Sequence, residues 1–235
     1  MLKKGFTLAE VLMTLAIIGV VSAITLPSLN YNITNQSLEK QTLKFYSQLH
    51  DGVMLDVADN SGGGFSLTDS FIKKNFNIMS ICDSTNRATC LGDTLKGNDA
   101  KYKTLAGGTK TIPVSTFFPT TKNIYMLADG ALFTADEASN TVTVDVNGSA
   151  PPNMYGRDLW VMTVFEDGTI DDANITTAIR TGSPATLKSY LDKNLSNCKS
   201  GKAPTFTTTT SSGGTTTETS SCLGTFIRNK FKFNW

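Results

Sequence analysis

From Phe6 to Leu29 the chain carries a single charge, Glu10, inside an otherwise apolar and small-residue run. As a helix, Phe6 to Leu26 would be about 30 Å long at about 1.5 Å per residue, roughly one bilayer hydrocarbon core. Lys3 and Lys4 stand just before the run. Two cations on this short flank hold it on the cytoplasmic side, so the remainder of the chain is expected outside. Glu10 is the anomaly. A carboxylate in a membrane helix costs insertion energy and is by default functional, with a partner to be named.

Lys3-Lys4-Gly5-Phe6-Thr7-Leu8-Ala9-Glu10 resembles the cleavage and methylation signal of type IV prepilins and type II secretion pseudopilins. The resemblance implies cutting between Gly5 and Phe6 by a membrane prepilin peptidase, followed by N-methylation of Phe6. The amine so released is the natural partner of Glu10, because residues four apart lie one above the other on a helix. Gly19 and Pro27 also fall where that family carries a helix-softening glycine and proline. The resemblance covers about 30 residues. Two plainer readings compete with it. Val21-Ser22-Ala23 resembles an ordinary signal-peptidase site after an apolar core, and the run would also serve as a signal anchor with no assembly role. Glu10 argues against both, since neither uses it.

The 235 residues allow one ordinary domain after the anchor. That domain is polar and rich in Thr, Ser, Asn and Gly, which suits strands and loops around a modest core. Removing Lys3 and Lys4 takes 21 cations to 19 against 20 anions, so nucleic acid is not expected as a partner. Cys82, Cys90, Cys198 and Cys222 all fall outside the cytoplasm on this topology, where disulfides persist. Of three connectivities, Cys82–Cys90 and Cys198–Cys222 are favoured, because each closes a local, turn-rich loop.

The pattern divides the chain into a leader, 1–5, a transmembrane and assembly helix, 6–29, an amphipathic continuation, 30–60, and an extracytoplasmic domain, 61–235. Pro27 predicts a kink near Ile24 to Pro27 and not a stop. In the continuation, Leu38, Phe45, Leu49, Val53 and Val57 share one face, with Glu39, Lys40, Lys44 and Asp56 largely elsewhere. Asn60 to Gly64 ends it. A helix is expected over Thr68–Met79, with Thr68 or Asp69 as cap, and one strand over Lys110–Phe118. Ile124–Ala128 and Ala131–Ala135 flank Asp129-Gly130, a strong hairpin signal. With Thr141–Val146 and Leu159–Phe165 they predict a meander of about four strands. Ser183-Pro184 opens a helix whose face is Leu187, Tyr190, Leu191 and Leu195. Thr205–Ser221, with 13 of 17 residues Thr or Ser, reads as a solvated mobile loop, with O-glycosylation or a variable contact surface as the sharper alternative. Thr225–Trp235 reads as a final strand with Phe231, Phe233 and Trp235 on one side.

No catalytic constellation is present. His50 is the only histidine, which leaves no triad or zinc set, and no phosphate-binding glycine fingerprint occurs. The chain is therefore read as a non-enzyme. One loop has oxygen-donor chemistry: Asp145, Asn147, Asn153 and Asp158 would offer side-chain oxygens to a calcium ion if the loop curls. In secretion pseudopilins, which the N-terminus resembles, an acidic loop near the sheet holds calcium. The plain alternative is turn chemistry, since Asn-Gly takes positive φ cheaply.

Together these features lead to an α+β, pilin-like fold, a long N-terminal helix whose second half packs on an antiparallel sheet. The implied function is a structural subunit of a type IV pilus or a type II secretion pseudopilus. It would wait in the bacterial inner membrane as a single-pass precursor and then enter a cell-surface or periplasmic filament. Prepilin peptidase and other pilin or pseudopilin subunits are its implied partners. The alternative is a minor pilin acting at a tip as a binding module, for adhesion or DNA capture.

Overall fold

The computed structural model describes residues 5, 7–59, 65–97, 99–107, 110–172, 175–209 and 215–235. The chain divides into two compact units, Met1–Ser37 and Leu38–Trp235. A 52-residue helix, α1 (Leu8–Asp59), contributes to both and continues through Pro27. The expected stop at Asn60 to Gly64 lies outside the described residues.

In the first unit the apolar side chains of α1 are exposed, from Leu8 at 78% to Ile33 at 56%. In the second unit Leu38, Phe45, Leu49 and Val53 are buried, at intervals of seven, four and four residues that keep one face on the core. Phe45 meets Phe133 and Phe76 at ring-centroid distances of 5.5 and 5.6 Å. Glu39 departs from the expected solvent face: it is buried, for a reason that lies at the other end of the chain.

The sheet against this face is built from β1 (Ile78–Cys82), β4 (Ile124–Leu127), β5 (Leu132–Asp136), β6 (Thr141–Asp145), β7 (Leu159–Val164) and β8 (Ile170–Asp172). Two short strands, β2 (Lys101–Lys103) and β3 (Thr111–Pro113), pair separately. The large sheet runs in the order β1-β4-β5-β6-β7-β8, with every neighbour antiparallel. The α+β expectation therefore holds, and the four-strand meander is its centre. At the Asp129-Gly130 turn, Gly130 has φ +91°. Leu127 N donates to Ala131 O at 2.9 Å across it.

Several elements differ from the sequence reading. The expected helix Thr68–Met79 is shorter, α2 (Asp69–Asn75), capped by Thr68 accepting from Phe71 N. Its last residues become β1 instead, because Ile78 and Ile81 sit opposite Leu127 and Tyr125 of β4. A partner more than 40 residues away overrides local helix propensity there. A further helix, α3 (Arg87–Leu95), starts inside the disulfide loop and runs on past Cys90. Of the expected strand Lys110–Phe118 only β3 is extended, and α4 (Val114–Phe117) follows it.

After α5 (Thr177–Arg180), the helix opened by Ser183-Pro184 is α6 (Pro184–Lys199). Ser183 accepts from Thr186 N there. Its anticipated face is only half-buried, and Asn194 and Cys198 are the side chains it buries. The Thr-rich segment is a hairpin and not a structureless loop. Strands β9 (Thr205–Thr209) and β10 (Thr215–Thr219) pair antiparallel over five positions, consistent with the β-branched shape of threonine. The tail is a helix, α7 (Leu223–Arg228), followed by a turn in which Lys230 and Phe231 both have positive φ. It is not a strand. Arg228 holds α7 to β8 through a bidentate pair with Asp171 at 2.7 and 2.8 Å. Phe226 stacks on Trp160 with centroids 4.8 Å apart.

Candidate functional site

At the start of α1, Thr7 and Glu10 satisfy each other. Thr7 N and Thr7 Oγ1 donate to Glu10 Oε2 at 2.8 and 2.9 Å, and Glu10 N donates to Thr7 Oγ1 at 3.3 Å. This is a capping box, which supplies partners to amide groups that have none inside the helix. The Thr-x-x-Glu spacing was visible in the sequence and identifies Thr7 as a cap, a role the reading above did not assign. Gly5 precedes the helix, exposed and with open space around its Cα. Phe6, the expected partner of Glu10, lies outside the described residues. Among the described residues, one helix is long and apolar enough to span a bilayer, and it is this one.

Cys82 is bonded to Cys90, and Cys198 to Cys222, with Cα separations of 6.1 and 5.7 Å. The first ties β1 to α3. The second joins α6 to the start of α7 and brackets the β9–β10 hairpin.

The 146–158 loop joins β6 to β7, and its two carboxylates sit at its base. Asp145 lies opposite Leu159 in the ladder, and Val146 N donates to Asp158 O at 2.9 Å. Both side chains are fully buried. Asp158 accepts from Asn153 N at 2.7 Å and Met154 N at 2.6 Å, which folds the loop back on itself. Asp145 accepts from Asn147 N at 3.3 Å and from Tyr102 Oη at 2.7 Å. Tyr102 comes from β2, a strand that the sequence did not connect with this loop. Burial pushes both carboxyls up, Asp145 well above the usual range with the charge of Asp158 adding to it, and Asp158 to about 7.

The two amides complete the loop. Asn147 Nδ2 donates to Ala150 O and Pro151 O at 3.0 Å each, and Asn153 Nδ2 to Ser149 O at 3.2 Å. Asn147 Oδ1 and Asn153 Oδ1 are buried and accept no hydrogen bond. Gly156, at φ +86°, packs the same loop on the second disulfide: a Cβ there would lie 2.9 Å from Cys198 Sγ. Among the described residues no group of three or more His, Cys, Asp or Glu side chains is arranged to hold a metal ion. The oxygen set here is two carboxylates and two amides.

An exposed, capped apolar helix of membrane-spanning length precedes a disulfide-bonded α+β domain, an arrangement that fits a membrane-anchored protein. The comparison with known families makes this narrower. Residues 1–26 match the prokaryotic N-terminal methylation motif, the prepilin-type cleavage and methylation signal. The motif marks the chain as a precursor of the type IV pilin or pseudopilin type. No curated protein and no solved structure matches the chain.

Proposed function

We propose that this chain is a structural, non-enzymatic subunit of an extracytoplasmic filament, a type IV pilus or a type II secretion pseudopilus. Prepilin peptidase cuts it between Gly5 and Phe6 and assembly proceeds through α1. The observation that carries the reading is a matched cleavage signal on a helix whose apolar side chains are exposed throughout residues 8–33. Lipid covers that surface before assembly, and neighbouring subunits cover it afterwards. Once Phe6 is an amine, Glu10 is free to exchange its Thr7 contacts for that charge, on the same or an adjacent subunit. In a dry filament core such a pair sets register more than it adds stability.

Two measurements test this. Mass spectrometry of the mature chain should find N-methylated Phe6 at its start. A chain beginning at Ile24 or Met1 would instead support the signal-peptide or anchor reading. Glu10→Ala should remain membrane-anchored and be cleaved, yet enter sheared filaments poorly, because an unpaired charge in a dry core costs several kcal/mol. Glu10→Ala filaments as abundant as wild type would remove the pairing role.

A calcium ion on Asp145, Asn147, Asn153 and Asp158 is a separate reading. Its support is the two orphaned amide oxygens beside two buried carboxylates, since calcium takes six to eight hard oxygen ligands. A ligand bound only by the folded state raises its stability by mass action, so chelator should lower the melting temperature of the full chain. An unchanged melting curve would leave the loop as a proton- and amide-clamped turn.

A further inference from the structure

We infer that the Leu38 end of the second unit is a docking surface for an anionic lipid membrane. β7 fixes which groups lie at that end. Trp160, at its start, bonds Thr42, whereas a Cβ on Gly168, just past its other end, would lie 2.6 Å from Met54 Sδ. The 146–158 loop feeds the start of β7 and therefore lies at the Leu38 end. Two segments gather on this loop. β2 joins it where Lys103 N donates to Asn153 O at 2.8 Å and Tyr155 N to Lys103 O at 2.9 Å. The end of α6 joins it where Gly156 meets Cys198, and there Lys110 Nζ donates to Ser200 O at 2.8 Å. The tail runs toward the same end, from Phe231 at Tyr46 to Phe233 at Glu39.

These segments bring Lys103, Lys110, Lys199, Lys202, Lys230 and Lys232 to one end. The acids there do not offset them. Glu39 is taken by Lys232, Asp145 and Asp158 are buried, and Asp99 is matched in number by Lys101. Among the described residues Lys103, Lys199 and Lys230 have no acidic partner. Yet the second unit as a whole is balanced: taking Lys3 and Lys4 from 21 cations and Glu10 from 20 anions leaves 19 of each. Anions collect at the opposite end, with Asp51, Asp56 and Asp59 late in α1 and Glu166 and Asp167 in the turn past β7. The basic end is also the tethered one. Ile33, exposed and apolar, stands five residues before Leu38, a reach of at most about 18 Å even for extended chain. In an anchored precursor the lysines are thus held close to the headgroups, and anionic headgroups attract them. The acidic end of a second copy is the other occupant of matching charge, but the bilayer is at hand before any second copy arrives. The inference rests on the membrane-anchored reading, and the two fail in distinguishable ways.

The test places single full-length chains in lipid nanodiscs of phosphatidylcholine, with or without phosphatidylglycerol. Lysines are acylated with a water-soluble amine-reactive ester, and the rate at each is read by mass spectrometry. At low salt Lys103, Lys199 and Lys230 should be labelled at least about fivefold more slowly in the anionic discs. Lys73 and Lys188, away from this end, should be labelled equally in both. At about 1 M salt, where the Debye length is about 3 Å, the difference should vanish. Lys103→Gln/Lys230→Gln should restore the labelling of Lys199 with the melting temperature retained. The lipid and salt contrasts are read on wild type, so they decide the matter even if that variant fails to fold. Equal labelling in the two lipids, by chain that still co-elutes with the discs, overturns this proposal alone. So does slowing that extends to Lys73 and Lys188, or slowing that requires two chains in one disc, which would assign the surface to a second copy. A chain that does not co-elute with the discs overturns the anchored reading too.

Discussion

Glu39 and Lys232, separated by 193 positions in the chain, meet at 2.7 Å between Oε2 and Nζ. The other carboxylate oxygen of Glu39 accepts from Phe233 N at 2.9 Å. The C-terminal tail thus closes over α1 near the start of the second unit, and Phe231 adds an edge contact to Tyr46 at 5.0 Å.

The two partners of Glu39 are not equivalent. The Lys232 side chain is 61% exposed and that of Glu39 9%, so the ion pair itself is screened and worth about 1 kcal/mol or less. The Phe233 amide depends on a buried carboxylate. Glu39→Ala should therefore cost about 1–3 kcal/mol in denaturation of the full chain, and Lys232→Ala clearly less. Equal losses in the two variants would mean that the Phe233 amide bond adds nothing beyond the ion pair.

A second long-range bond joins the helix to β7, the neighbour of the edge strand β8. Trp160 Nε1 donates to Thr42 Oγ1 at 3.1 Å, and Thr42 Oγ1 donates to Leu38 O at 2.8 Å. Thr42 is fully buried. Thr42→Val should destabilise by about 1–3 kcal/mol, because it strands the indole N–H. In a double-mutant cycle with Trp160→Phe the losses should be less than additive. Strict additivity would show that the bond contributes nothing of its own.

The two disulfides should differ in effect. Cys198–Cys222 spans 24 residues and Cys82–Cys90 spans eight. On the loop-entropy account their removal costs about 3–4 and about 2–3 kcal/mol respectively. Replacing Cys198 and Cys222 by Ser should also speed amide exchange in β9 and β10, since an isolated two-stranded hairpin is marginal in water. Unaltered exchange in the hairpin would show that it is held without the disulfide.

Acid sensitivity has a local source in Asp167. The Thr169 hydroxyl and then Arg180 hold its carboxyl down at about 2, with Arg180 Nη2 at 2.6 Å. A depressed folded value stabilises the fold above the ordinary carboxylate range, and the gain is lost as pH falls from about 4 through about 2. Asp167 is half-exposed, so solvent screening limits this to about 1 kcal/mol or less. Asp167→Asn should flatten the stability profile over that interval. A profile as steep as wild type would place the acid sensitivity elsewhere.

Local signals in the chain were sufficient wherever the deciding contacts are close in sequence. The apolar run with its lone Glu10 determines a membrane-length helix. Asp129-Gly130 between alternating segments determines a hairpin, and Ser183-Pro184 a helix start. The face of Leu38, Phe45, Leu49 and Val53 follows from helical period alone. The capping box was equally legible, at a spacing of three residues.

Tertiary structure decided the rest, because the deciding partner in each case lies far along the chain. Ile78 to Cys82 are strand and not helix because β4 supplies a ladder. Thr205 to Thr219 contain a hairpin because cross-strand pairing outweighs polar composition, a balance that composition does not report. Glu39 is buried although its neighbours mark it as a surface charge, because Lys232 and Phe233 return to satisfy it. Asp145 acquires Tyr102 from a three-residue strand with no periodic signature. A buried carboxylate is tolerated only where its donors converge, and convergence of residues 43 or 193 positions apart is a property of the folded chain alone.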